Sequence, residues 1–104
     1  MMACTRVIIL HYYNMAKIFF TDGSEKEVSP KNGSDFSLEE LQGVVGGYIQ
    51  ILYLDNGELM IVNEEGKLDG LPFNKKATDY VVNDGKYIDV IVGNVLVCDS
   101  KEVK

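Results

Sequence analysis

The strongest constraint on the fold is a pair of apolar runs on either side of Asn56 and Gly57. Residues 48–54 (YIQILYL) and 58–63 (ELMIVN) are mostly apolar, and Asn-Gly between two such runs is a strong signal for a β-hairpin. A two-residue turn predicts three facing pairs that share one side of the hairpin: Leu54 with Leu59, Leu52 with Ile61, and Gln50 with Asn63. Because nearly every residue of 48–54 is apolar, that run is predicted to be a central strand buried on both faces.

Shorter strands are predicted towards both ends of the chain. Residues 17–20 (KIFF) and 25–29 (EKEVS) flank the turn-forming sequence Thr-Asp-Gly-Ser and are predicted to pair. Residues 88–92 and 95–98 flank Gly93-Asn94, which predicts two more strands joined by a tight turn. Residues 99–104 are expected to fray.

Two short helices are predicted from their capping residues. Ser37 and Glu40 have the spacing of a capping box, and Gly46-Gly47 supplies a C-terminal stop. Asn74 is predicted to cap a second helix that extends to Val82. The apolar stripes consist of Leu38, Leu41 and Val45 in the first helix and Ala77, Tyr80 and Val81 in the second.

These elements predict an α+β fold, with a small antiparallel or mixed β-sheet and two short helices packed against it. The length of 104 residues is typical of one domain, which we assign to residues 15–104. Residues 1–14 are interpreted as an N-terminal extension, with two alternatives open. They lie upstream of a natural start at Met15, or their VIILHYY sequence adds an edge strand.

The charge distribution argues against two kinds of partner. There are 16 acidic and 10 basic side chains, giving a net charge of −6 with no basic stripe, so direct nucleic-acid binding is not expected. No apolar run approaches the length of a membrane span, so no membrane partner is expected.

The two cysteines indicate a reducing, cytoplasmic location. Cys4 and Cys98 are too few for a disulfide framework and lack metal-ligand spacing. Cys98 alternates with Leu96 in an apolar run and is predicted to be a buried free thiol.

The sequence lacks the motifs that would identify an enzyme, a cofactor or a metal. His11 is the single histidine, which leaves little for a nucleophile–base pair. The glycine-rich residues 43–47 leave a helix, whereas a phosphate-binding loop opens one. The sequence therefore does not decide whether the protein is an enzyme, although a non-enzymatic role is favoured. No cofactor is predicted.

The densest polar cluster marks a candidate binding surface. Asn63, Glu64 and Glu65 follow the second strand of the hairpin, and Gln50 is predicted to face Asn63. These side chains offer hard oxygen ligands or hydrogen-bond acceptors. The preferred alternative is structural, with the glutamates on a solvated turn and Asn63 bonded to the loop backbone. Asn74 is likewise interpreted first as a helix cap and second as a ligand contact.

Four ordered blocks of sequence resemble one protein family. They are LxxLQxxVGGYI in residues 38–49, VNEEGKL in 62–68, LPxNxxAT in 71–78 and IVGNV in 91–95. Together they cover roughly residues 36–98, and they resemble the family of domain of unknown function 3846. The resemblance implies a small accessory protein of bacteria, phages or mobile elements, and it implies no particular activity.

Three functional hypotheses follow, of which the first is preferred. The chain is a non-enzymatic module that binds an unidentified protein partner through a sheet edge or the surface of Gln50, Asn63, Glu64 and Glu65, as a monomer or a homodimer. Alternatively, it is a small enzyme or ligand-binding protein that uses residues 63–65 around a pocket. A third hypothesis is an acidic decoy that mimics DNA, for which the charge has the correct sign but is scattered.

Overall fold

The computed structural model describes residues 16–54, 57–83 and 90–103. The elements, in chain order, are β1 (Ala16–Phe19), β2 (Glu25–Val28), α1 (Leu38–Val45), β3 (Ile49–Tyr53), β4 (Glu58–Asn63), α2 (Lys75–Asn83), β5 (Val95–Asp99) and a short 3-10 helix (Ser100–Glu102). The strands form one sheet in the order β2-β1-β5-β4-β3, and each neighbouring pair is antiparallel. The predicted α+β fold is confirmed, in its antiparallel form.

The two helices pack on opposite faces of the sheet. On one face, Leu41 and Val45 of α1 join a core cluster that includes Ile61. On the other face, Ala77 and Val81 of α2 join a second cluster. Its sheet members are Phe19, Met60, Val62, Val95 and Val97. Successive residues of β4 and β5 therefore alternate between the two cores, as the pleat of a strand requires.

The β3–β4 hairpin has a register one residue away from the predicted one. Ile51 lies opposite Ile61, and Gln50 lies opposite Val62 instead of Asn63. When the register shifts by one residue, the side chains that were predicted to share a face with residues of the partner strand lie on opposite faces of the sheet. The predicted facing pairs are therefore wrong.

A three-residue loop causes this shift. The amide of Leu54 donates to the carbonyl oxygen of Glu58 at 3.0 Å, which leaves three residues instead of two between the strands. Gly57 has a φ of 89°, the left-handed conformation that such loops need at their last residue. The β1–β2 hairpin is closed in the same way, because Gly23 has a φ of 94° and its amide donates to Phe20.

Among the strands that the structure describes, β3 lies at the edge of the sheet, so its predicted central position is wrong. Its sequence is apolar because its side chains are partly buried on both faces of the sheet. Ile49 and Ile51 pack beside the α1 core, and Leu52 packs beside the α2 core. β5 is central instead, and four of its five residues are buried.

The region before β5 also differs from the prediction. Residues 84–89 lie outside the described part of the chain, and in 90–92 Val92 forms only an isolated bridge with Phe73. The backbone of Ile91 is bonded elsewhere: its carbonyl accepts from the amide of Asn74 at 2.8 Å, and its amide donates to the Thr78 hydroxyl at 2.9 Å. The predicted strand is therefore wrong over these three residues.

The residues after β5 were predicted to fray, but up to Val103 they pack against the rest of the fold. Asp99 caps the 3-10 helix, and the carbonyl of Glu102 accepts from the amide of Phe36 at 2.7 Å. Residues 1–14, with both interpretations offered for them, lie outside the described residues. Within 16–54, 57–83 and 90–103, no helix has both the length and the apolar character needed to cross a membrane.

Candidate functional site

An open groove of about 340 Å³ lies beside β3 on the side of the sheet that α2 covers. The sheet contributes Gln50 and Leu52 of β3 and Val62 of β4. Two later segments add Lys67 and Leu68, and Val90, Ile91 and Val92. The groove therefore combines an apolar surface with a few polar groups, which is the usual composition of a binding site.

Gln50 and Asn63 do not form the predicted shared polar surface. Gln50 is exposed on the α2 side, opposite Val62. Asn63 lies opposite Ile49, so its side chain points to the α1 side, where the residue is only 9% exposed. Both residues border the groove, but only the Gln50 side chain points to that side of the sheet.

The side chain of Asn63 holds the end of α1 against the turn that follows β4. Its Nδ2 donates to the Val45 carbonyl at 3.0 Å, and its Oδ1 accepts from the Glu65 amide at 2.8 Å. Gly47 lies so close that a Cβ there would be 3.0 Å from Nδ2. The structural interpretation of Asn63 is confirmed.

Glu64 and Glu65 are exposed and line different depressions. Glu64 borders the groove, and its amide donates to the carbonyl of Tyr48 at 2.9 Å. Glu65 lines a separate shallow depression with Gln42 and Asp69. Of the predicted surface, the structure therefore brings Gln50 and Glu64 together and separates Glu65 from them.

Asn74 is 0% exposed and joins three parts of the fold. Its Oδ1 accepts from the Ala77 amide at 3.0 Å, which confirms the predicted cap of α2. Its Nδ2 donates to the carbonyls of Phe19 at 2.9 Å and Gly93 at 2.8 Å. The side chain is thus fully used within the fold and does not line the groove.

The outer edge of β3 presents backbone groups that β4 does not use. The bonds from the Leu54 amide to Glu58 and from the Glu64 amide to Tyr48 place residues 48, 50, 52 and 54 in the hydrogen-bonded pairs with β4. The N–H and C=O groups of Ile49 and Ile51 therefore point away from β4. No strand in the described part of the chain pairs with that edge.

The opposite edge of the sheet is different in character. β2 has the sequence EKEV, and its first three residues are exposed. Glu25 also bridges Lys17 at 3.5 Å and Lys76 at 3.0 Å. Charged edge strands resist pairing with another chain. β3 (IQILY) has no charged residue, and exposed tyrosines, Tyr48 and Tyr53, stand at its two ends.

The described residues offer little for nucleophilic or metal chemistry. Cys98 is a free thiol and is 1% exposed, as predicted. Burial, followed by the nearby carboxylates of Glu102, Asp99 and Glu58, raises the pKa of this thiol to about 12, so it stays protonated. Within the described ranges, no three His, Cys, Asp or Glu side chains are grouped so that they could hold a metal ion.

Sequence reasoning missed the apolar lining of the groove. Leu68 is 87% exposed, the largest exposure among the large apolar side chains described. It lies within the polar stretch EEGKLDG, and because single exposed apolar side chains are common on protein surfaces, this position alone does not indicate a groove. Val90 could not be recognised, because residues 88–92 have the pattern of a strand.

Comparison with known proteins adds a family and no activity. A family model described as a domain of unknown function (DUF3846) matches residues 17–103. The match is wider than the resemblance over residues 36–98 and includes the first hairpin. No curated protein and no solved structure matches the chain.

Proposed function

The chain belongs to the family of domain of unknown function 3846, and on this premise we propose that it is a non-enzymatic protein-interaction module. Its binding surface is the outer edge of β3 together with the adjoining groove. An extended segment of a partner protein would add to the sheet as a further strand. In this mode of recognition the main chain supplies affinity and pockets for alternate side chains supply specificity.

The observation that carries the proposal is the contrast between the two sheet edges. β2 is short and charged, and two lysines bridge its first glutamate. β3 is uncharged, and the backbone groups of Ile49 and Ile51 point outwards. An unprotected edge promotes aggregation unless a partner uses it. In the described part of the chain one edge is protected and no strand covers the other, which suits the β3 edge to strand addition.

The groove supports the same surface. It adjoins β3, so a strand added there would direct alternate side chains towards Gln50, Leu52 and Leu68. Leu68 would lose its exposure to water on binding. Each apolar side chain that is fully buried contributes roughly 1.5–3 kcal/mol before ordering costs.

The alternatives have less support. A ligand-binding or catalytic role for residues 63–65 is weakened because Asn63 is occupied by backbone bonds and Glu65 lines a different depression from the groove. A DNA mimic needs a continuous acidic surface, whereas Glu25 is neutralised by lysines. The proposed setting is the cytoplasm, in a bacterial, phage or mobile-element system. It rests on the sequence resemblance and on the free thiol of Cys98.

The test uses two substitutions at Ile51. Ile51→Pro removes an N–H that points away from β4, so the β3–β4 ladder stays intact, and edge strands tolerate proline in this orientation. Ile51→Ala is the matched control, because it removes the apolar contacts and keeps the N–H. Tagged wild-type protein and both variants are compared by quantitative affinity capture from native lysate, after circular dichroism has shown that each is folded.

The proposal predicts that wild type and Ile51→Ala capture the same partner protein from the lysate. Ile51→Pro should not capture that protein. Capture by Ile51→Pro at the wild-type level would place the binding surface elsewhere. Failure of wild type to capture any protein specifically would contradict an interaction role.

A further inference from the structure

We propose that the bound segment runs antiparallel to β3, with apolar side chains opposite Gln50 and Leu52 and a lysine or arginine opposite Tyr48. This inference rests on the proposed function and specifies the partner's chemistry. The partner is thus a basic-ended, alternating strand of another protein and not a second copy of this chain.

The direction follows from the sheet and its exposed groups. Each neighbouring pair in the sheet is antiparallel, and antiparallel pairing is slightly more stable per residue than parallel pairing. Ile49 and Ile51 each present one outward N–H and one outward C=O. An antiparallel segment bonds both groups of each residue in closed pairs.

The apolar positions follow from the face on which the groove lies. Residues directly opposite each other on neighbouring strands share a face. Gln50 and Leu52 lie on the groove side, so partner residues opposite them point into the groove, towards Leu52, Val62 and Leu68. Side chains opposite Ile49 and Ile51 point to the α1 side instead.

The basic position follows from the charges at the start of β3. The carbonyl of Tyr48 accepts from the amide of Glu64, so these residues are neighbours across β3 and β4. Glu64 is exposed and is the one carboxylate among the lining residues of the groove, whose one amine is Lys67. Tyr48 is 66% exposed, and its ring can stack with a cation. A lysine opposite Tyr48 would lie over the ring and extend towards Glu64.

A second copy of the chain meets these requirements less well. Two β3 strands paired antiparallel with their Ile51 residues facing each other would place Leu54 opposite Tyr48. The sequence of residues 48–54 contains no basic residue, and each copy has a net charge of −6. Like charges disfavour this association, whereas a basic partner is attracted.

The experiment titrates the full ¹⁵N-labelled chain with synthetic peptides and follows the backbone amide resonances. The peptide STVTLTK, blocked at both ends, places valine and leucine opposite Leu52 and Gln50 and lysine opposite Tyr48 when it lies antiparallel. STVTLTE reverses the charge, and KTLTVTS reverses the direction. The protein variants are Ile51→Pro, Glu64→Lys and, as a matched control on α1, Glu39→Lys.

The proposal predicts that STVTLTK shifts the β3 resonances and binds about fivefold tighter than STVTLTE, as expected for one surface ion pair. Glu64→Lys should reverse this preference, and Glu39→Lys should keep it. Ile51→Pro should abolish binding.

The failures are distinguishable. Equal binding of STVTLTK and STVTLTE, with loss in Ile51→Pro, overturns the basic position and leaves strand addition intact. Binding of KTLTVTS as tight as that of STVTLTK overturns the direction. If no peptide shifts β3 at millimolar concentration while lysate capture still depends on Ile51, the partner chemistry is wrong. If neither is observed, the proposed function fails as well. A wild-type chain that sediments as a dimer sensitive to Ile51→Pro would assign the edge to a second copy.

Discussion

Replacing Asn74 by alanine should strongly destabilise this protein, because one buried side chain connects three parts of the fold. Asn74 is fully buried, and its side chain makes three hydrogen bonds, to the amide of Ala77 and to the carbonyls of Phe19 and Gly93. These bonds connect α2, β1 and the residues before β5. Alanine leaves one amide and two carbonyls without this partner.

The magnitude follows from those three bonds. Loss of an N-cap costs about 1 kcal/mol. Each buried carbonyl that loses its donor costs about 1 kcal/mol net. The free energy of unfolding should therefore fall by about 3 kcal/mol. For a domain of this length, such a loss lowers the melting temperature by roughly 12–24 °C.

Urea unfolding at 25 °C, followed by far-ultraviolet circular dichroism, measures this loss directly. The matched control is Asn32→Ala. Asn32 also makes three side-chain hydrogen bonds, to the amides of Ser34 and Asp35 and to the Asp35 carboxylate, but it is exposed. Water replaces those partners, so the control should cost less than about 1 kcal/mol.

A loss below about 1 kcal/mol for Asn74→Ala would refute the reasoning. It would mean that other partners replace the cap and both carbonyl bonds without a cost in the free energy of unfolding. Burial would then not increase the contribution of these bonds to stability. A loss as large for Asn32→Ala would refute it equally, because exposure would then make no difference.

Three further predictions concern other positions. Asn63→Ala should lower the free energy of unfolding by about 1–2 kcal/mol, because two side-chain bonds are lost; an unchanged urea midpoint would contradict this. Gly93→Ala should cost about 1–3 kcal/mol, because φ is 78° and the new Cβ would lie 2.8 Å from Leu71 Cδ1; an increase in stability would contradict it. In a Cys4→Ser background, the Cys98 thiol should react with an aromatic disulfide reagent only after unfolding. Because folding raises the pKa of Cys98 to about 12, the unfolded thiol ionises first, so stability should fall as pH rises from about 9 to 12. A Cys98→Val variant should lose that part of the pH dependence, and an identical profile for both proteins would contradict the assignment.

Local signals predicted the helix starts well. Ser37 and Glu40 form the capping box, with the Ser37 hydroxyl accepting from Glu40 at 3.1 Å and the Glu40 carboxylate accepting from Ser37 at 2.9 Å. Both partners lie within one turn, so the sequence contains the whole interaction. The cap by Asn74 was predicted for the same reason. Its bond to Phe19 spans 55 residues, and no local pattern could indicate that contact.

The register of the β3–β4 hairpin could not be read from the apolar pattern. Residues 59–62 (LMIV) are all apolar, so a shift of one residue buries apolar side chains in either register. Only an alternating strand specifies which residues face the core. The loop decided the register, and Asn-Gly is compatible with two-residue and three-residue loops.

The edge position of β3 and the groove depend on contacts between distant segments. An apolar run indicates that two faces are covered, but it does not state whether strands lie on both sides. The groove combines residues near positions 50, 62, 68 and 91, and each lies in a segment with its own local pattern. Leu68 is apolar within a polar loop, but a single exposed apolar side chain does not indicate a groove.

Amide hydrogen exchange along β3, in the free protein and in the complex with the captured partner, tests the central claim most directly. In the free protein, the amides of Gln50 and Leu52 are bonded to β4 and should exchange slowly, whereas the amides of Ile49 and Ile51 point outwards and should exchange fast. Binding should slow exchange at Ile49 and Ile51 and leave Gln50 and Leu52 unchanged. Slow exchange at Ile51 in the free protein, or fast exchange there in the complex, would contradict strand addition at this edge.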